Sequence, residues 1–271
     1  MLMRPELAAL QWYLDAGVDE VIADVPWDRT ARDVPAAGRD TPVASPVPQP
    51  AATPYAAPTP ANQPGPGASV NVALSEELRS IGDLAALRAR LDQYDGCVLK
   101  RTATNTVFGT GPADAKLMII GEAPGEEEDR RGEPFVGPSG QLLDRMLSAI
   151  GLARDQVYIT NTIYWRPPGN RTPTPQEVLA CYPFMQRQIA LIRPAVLMLV
   201  GGAAAKTMLQ RSEGIMRLRG KWNEVQVTGE DLSIPAMATF HPAYLLRSPI
   251  QKREAWQDLQ AVRDRLEQAS S

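Results

Sequence analysis

Four short segments, each closing on a glycine, an asparagine or a histidine, limit how this chain can fold. Lys116-Leu-Met-Ile-Ile120 runs into Gly121, and Ala195-Val-Leu-Met-Leu-Val200 into Gly201. Val157-Tyr-Ile-Thr160 leads to Asn161, and Ile234 to Phe240 leads to His241. Continuous rather than alternating apolar character marks strands buried on both faces, as in parallel sheets covered by helices. Helical spacing fills the intervals. Leu78, Ile81, Leu84, Leu87 and Leu91 mark one amphipathic helix, and Ser139 to Ile150 carries another that stops at Gly151. Thr174, Pro175 and Glu177 form a helix-start signal, a capping threonine with proline at the first helical position and an acid three residues on. That helix is expected to run to about Ile192, with further helices over Gly202–Leu209 and Gln251–Leu266. The alternation predicts a three-layer α/β/α domain with a four-stranded, mostly parallel sheet.

Composition divides the chain before this domain begins. Ten of the 25 prolines and ten alanines lie between residues 31 and 70, and no charged residue occurs from Thr41 to Ser75. Such a stretch buries too little apolar surface to offset its ordering entropy, so residues 30–74 read as a disordered Pro/Ala-rich linker. Residues 1–29 read as an acidic helical segment, with Leu7, Leu10 and Leu14 on one face, serving either as a docking element for a protein partner or as a helix that packs on the main domain. Residues 75–271 form the main domain. Residues 1–75 hold four arginines against eight acids, whereas the remainder holds 24 basic against 23 acidic residues. The main domain is thus open to a polyanion in a way that the net charge of −3 conceals. Two cysteines and a single histidine exclude a disulfide framework and any metal site built on several imidazoles. Free thiols fit a reducing, bacterial-type cytoplasm. No stretch approaches a membrane span, and the chain is expected to act as a monomer.

In doubly wound sheets the reactive crevice lies beyond the carboxyl ends of the strands. Gly121-Glu-Ala-Pro-Gly125-Glu-Glu-Glu-Asp129 follows the first strand, and Asn161 with Arg166-Pro-Pro-Gly-Asn-Arg171 follows the second. Gly201-Gly202 follows the third, and His241-Pro-Ala-Tyr-Leu-Leu-Arg247 the fourth. The sole histidine, an asparagine and a carboxylate cluster therefore converge. The glycine-bearing turn matches neither dinucleotide nor P-loop spacing, and its acids would repel a phosphate.

From about Tyr94 to Leu266 the chain resembles the family 4, iron–sulfur-type uracil-DNA glycosylases. The likeness rests on residues 121–129, Pro-Phe-Val-Gly (134–137), Tyr-Ile-Thr-Asn (158–161), 166–171 and 241–247. It implies hydrolysis of the N-glycosidic bond of uracil in DNA by base flipping, initiating base excision repair, with uracil-containing DNA as the partner. By this resemblance His241, Glu122 and Glu128 are catalytic, and Ala123, Phe135, Asn161 and His241 hold uracil. One amide at Asn161 can accept from N3–H and donate to O4, the opposite of what cytosine needs. Arg166, Arg171, Leu245, Leu246 and Arg247 are expected on DNA, the leucines as an apolar wedge. Arg219 and Lys221 are further candidate phosphate contacts. The family's four cluster cysteines correspond to Tyr94, Cys97, Trp165 and Cys181, spaced by three, 68 and 16 residues. With two thiols of four, no 4Fe-4S cluster and no other cofactor is expected. The alternative is a weak or inactive homologue that binds DNA or recruits a partner. A variant that traps its product covalently would need a reactive residue near Arg219-Gly-Lys-Trp222, and no histidine stands there.

Overall fold

The computed structural model describes residues 66–270. The acidic segment expected over residues 1–29, and the linker as far as residue 65, lie outside the described residues.

Among the described residues the sheet has five strands in the order β2-β1-β3-β5-β4. These are β1 (Leu117–Gly121), β2 (Tyr158–Asn161), β3 (Val196–Val200), β4 (Trp222–Gln226) and β5 (Ser233–Thr239). The four expected strands are β1, β2, β3 and β5, and all run parallel. The fifth, β4, is antiparallel to β5 and corrects the four-stranded expectation. Its residues Trp222-Asn-Glu-Val-Gln226 bury only Val225, so the edge strand carries no apolar run for sequence reading to detect.

Alternation along each strand separates two cores. Met118, Ile120, Leu197 and Leu199 face one side, packed in one cluster with Leu87, Leu91, Phe184 and Ile189. Leu117, Ile119, Met198 and Val200 face the other, with Leu143, Leu147, Leu259 and Val262. The first layer is built from α1 (Pro66–Arg79), α2 (Leu84–Asp92) and α5 (Pro175–Ile192). The second holds α4 (Pro138–Ala149) and α9 (Lys252–Ser270). Short helices α3 (Glu126–Arg131), α6 (Gly202–Leu209), α7 (Ile215–Leu218) and α8 (Pro242–Arg247) follow strands or lie between them.

Two expectations at the start of the domain need correction. The linker expected to run to residue 74 gives way at Pro66 to a helix, in which Leu74 as well as Leu78 finds cover in the core. The single helix expected through Leu91 is two, separated at Gly82, with the Asp83 side chain accepting from the Ala86 N–H at 2.8 Å to cap the second. The Thr174 start signal is realised as read. The Thr174 hydroxyl accepts from the Glu177 N–H at 3.3 Å, and the Glu177 carboxylate accepts from the Thr174 N–H at 2.7 Å.

Candidate active site

A cavity of about 510 Å³ opens at the carboxyl edge of the sheet. Glu122, Ala123 and Glu128 line it from the segment after β1, Asn161 from the end of β2, and His241 from the end of β5. Phe135, Arg171 and Arg247, also expected, stand on its wall, whereas Arg166, Leu245 and Leu246 do not line it. Gly121 makes this convergence possible. A Cβ there would stand 2.4 Å from the Asn161 Oδ1 and 2.7 Å from the Phe135 ring.

The Glu128 carboxylate is occupied by backbone. One oxygen accepts from the Val136 and Gly137 amides at 2.9 and 3.0 Å, and the other from Gly125 at 3.1 Å. It thereby ties the turn after β1 to the Phe135 loop. Phe135 itself takes a left-handed φ of 52°, a strained conformation that turns its ring into the cavity wall.

His241 caps α8, and its ring stacks on Phe135 with centroids 5.6 Å apart. Its Nδ1 accepts from the Ala243 N–H at 3.1 Å. An accepting Nδ1 carries no proton, so the neutral ring carries its proton on Nε2. Burial, reinforced by the Arg247 charge, pushes the His241 pKa down to about 4. The imidazole is therefore a neutral N–H donor throughout the ordinary working range.

Glu122 contrasts with Glu128. Its carbonyl accepts from the Thr162 hydroxyl at 2.7 Å and from the Ile163 N–H at 3.1 Å, which fixes the backbone. Its carboxylate has no partner among the described residues, and burial raises its pKa above the usual carboxylate range. The Asn161 amide, buried at the end of β2, is likewise free to read a ligand edge.

The expected DNA contacts divide. Arg247 lines the cavity and has no side-chain partner among the described residues. Arg171 lines it too, but its guanidinium grips Glu177 through two bonds of 2.8 and 2.6 Å. Arg166 stands off the wall, bonded to Asn170 at 2.8 Å and paired with Glu126 at 3.4 Å. Leu245 is 1% exposed within the second core and cannot serve as a wedge, whereas Leu246 is 41% exposed. Arg219 is half-buried between Asp258 and Glu254, with its guanidinium 5.2 Å above the Phe240 ring, and is committed to the fold rather than to phosphate. Asn170 and Tyr244 also line the cavity; both lie inside the motifs quoted above, but neither residue type signalled a role. Ser139 does so with no sequence signal at all.

Tyr94, Cys97, Trp165 and Cys181 gather in the first core. The two thiols act on each other: the neighbouring Cys181 lowers the Cys97 pKa, and Cys97 together with burial raises that of Cys181. The Trp165 indole N–H donates to the Thr106 hydroxyl at 3.2 Å, and Tyr94 packs on Phe184 with centroids 5.1 Å apart. Two thiols, a phenol and an indole do not make the donor set of an iron–sulfur cluster, so the residues do not fit one. Among the described residues, no group of three or more histidine, cysteine or acidic side chains could hold a metal ion.

Comparison with known proteins agrees with this geometry. Residues 108–260 match the uracil DNA glycosylase superfamily. The chain is 42% identical over 170 residues to a type-4 uracil-DNA glycosylase of Archaeoglobus fulgidus, covering 61% of this chain and 84% of that protein. A type-4 uracil-DNA glycosylase of Pyrobaculum aerophilum is 38% identical over 181 residues, 65% of this chain and 91% of the relative. One from Thermotoga maritima is 42% identical over 160 residues, 59% and 81% of the two chains.

Proposed function

The chain belongs to the uracil-DNA glycosylase superfamily, in its type-4 branch, and is a uracil-DNA glycosylase of DNA repair; we propose that it cleaves through a neutral His241 and an unengaged Glu122. The observation that carries this division of labour is the presence, in one cavity, of a free amide at Asn161, an Nε2–H at His241 and a carboxylate without a partner at Glu122.

The flipped uracil lies against Phe135, with Asn161 accepting from N3–H and donating to O4. As the N1–C1′ bond breaks, its electron pair passes to the uracil ring and positive charge develops on the sugar. The His241 Nε2–H donates to O2, where the negative charge grows, without having to be protonated first. Glu122 faces the cationic sugar, orients the water that attacks C1′ and takes the proton that water sheds, which is returned through solvent to the departing uracil anion, as in glycoside hydrolysis. Glu128, whose oxygens are bonded to backbone amides, holds the two loops that shape the pocket. Arg247 meets the backbone phosphate beside the flipped nucleotide, and Leu246 enters the vacated stack.

No step runs through a cluster, and the enzyme works without one, on the support of the mismatched donor set around Cys97 and Cys181. Buried free thiols suit a reducing cytoplasm. Among the described residues no helix is long and apolar enough to cross a membrane.

The test is release of uracil from a labelled oligonucleotide carrying one uracil, read as an abasic strand after alkali. The wild-type chain yields it, and His241→Ala lowers kcat on the order of 100-fold, the usual cost of one such donor. Asn161→Asp, which cannot donate to O4, loses its preference for uracil over cytosine. Undiminished turnover in the first variant, or undiminished preference in the second, refutes the assigned role.

A further inference from the structure

We propose that the edge running from Leu246 to Arg253 is the seat of the second DNA strand, with Ile250 contacting the base left without a partner when uracil flips out. The proposal rests on the glycosylase reading and extends it to the strandedness of the substrate.

Ile250 is 84% exposed, well above Met216 at 62%, the next large apolar side chain among the described residues. A lone exposed apolar residue needs no explanation, but the company of this one is specific. It sits on a single helical turn, Pro249–Gln251, between the cavity helix α8 and the long helix α9, and the turn packs against both. Prolines on both sides of the cavity helix, Pro242 and Pro249, pre-set the backbone that presents it. Four residues earlier stands Leu246, the exposed wedge candidate, so at most about 14 Å of chain separates the two. At roughly 3.4 Å per base-pair step that spans a few steps of duplex.

The charge around Ile250 fits one occupant. From His241 to Arg253 the sequence has three cations, Arg247, Lys252 and Arg253, and no acid. None of the three has a side-chain partner among the described residues. The first acid to follow, Glu254, is already paired with Arg219. An apolar prong set among uncommitted cations and continuous with the rim of the base pocket matches a phosphate-flanked base stack. Flipping uracil leaves a hole bordered by the orphaned partner base, and an apolar side chain placed there replaces part of the lost stacking. A single strand offers no such partner, so Ile250 contributes to the duplex alone.

The experiment compares kcat/KM on one uracil-containing oligonucleotide, single-stranded and paired with guanine opposite uracil, at several salt concentrations. Ile250→Ala should lower the ratio of duplex to single-strand efficiency about tenfold, and Ile250→Leu should restore most of it. The exposed position makes misfolding no explanation for such a loss. Lys252→Ala with Arg253→Ala should flatten the duplex slope of log kcat/KM against log salt by about two. A wild-type ratio in Ile250→Ala, or an unchanged slope in the double variant, overturns the proposal and leaves the glycosylase reading standing. Absence of uracil release from both substrates by the wild type overturns the reading itself.

Discussion

His241 and Glu122 are both half-buried at the same cavity, yet that burial prepares them for opposite duties. Burial disfavours charge in each case, lowering the histidine to about 4 and raising the glutamate above its usual range. The histidine is therefore neutral from pH 5 upward and delivers its Nε2–H at constant strength. The glutamate is needed as the anion, so activity should fall as pH drops through its raised pKa. The kcat profile is accordingly expected to show one acid limb, set by Glu122, and no inflection near 6.5 where an exposed histidine would titrate. Glu122→Gln should lower kcat and remove that limb. A limb that persists in the variant would assign the titration to another group. For stability the histidine has its own sign. Its folded pKa lies below the unfolded one, so the folded state binds fewer protons between about pH 4 and 6.5 and loses stability as pH falls through that window. At this scale the sequence was readable for His241, Asn161 and Glu122, because each directly ends or follows an apolar strand. It was not readable for Glu128, whose partners are backbone amides that only the folded loop around Phe135 brings to it, or for Arg219, whose partners stand on a helix distant in the chain.

Helix α5 shows where element boundaries are written locally. Thr174 and Glu177 exchange bonds across one turn, and Glu177 also grips Arg171 from the loop that lines the cavity. The helix start thus anchors part of the pocket wall. The bond with Arg171, aided by the Thr174 amide, holds the Glu177 pKa down to about 2. A depressed carboxylate contributes stability that is complete above pH 4.5 and is lost as pH falls toward 2. Thr174→Ala should cost about 1 kcal/mol in urea unfolding at pH 7. Glu177→Gln should destabilise at pH 7 and converge with the wild type as pH approaches 2. A gap between variant and wild type that stays constant with pH would contradict the linkage. A capping box needs four consecutive residues, which is why this boundary was legible. The break at Gly82 and the strand β4 were not, because each depends on what packs against it. Leucines at 78, 81, 84, 87 and 91 keep helical spacing across a kink, and β4 is defined by its bonds to β5 rather than by an apolar run.

Across the whole molecule, the residues standing at the cluster positions join three separate parts of the chain: the segment after α2, the segment after β2, and the body of α5. A cluster would staple those parts through four metal–thiolate bonds. Here Trp165, Cys97 and Cys181 are fully covered, and Tyr94, Tyr164 and Phe184 pack around them edge to face or tilted. Packing of this kind is already complete at folding and needs no ion, so the two stapling mechanisms predict different behaviour. Protein purified without oxygen should contain no stoichiometric iron or sulfide, and a chelator should leave its melting temperature unchanged. Trp165→Ala should instead cost about 3–5 kcal/mol, the usual range for removing a buried large aromatic ring, and should loosen the segment that carries Arg166 and Arg171 toward the cavity. Stoichiometric iron, or melting that a chelator lowers, would show that two cysteines recruit a metal after all. A mild Trp165→Ala would show that the connection between these segments is held elsewhere. With neither result, the fold keeps its cavity in register by aromatic packing around Cys97 and Cys181.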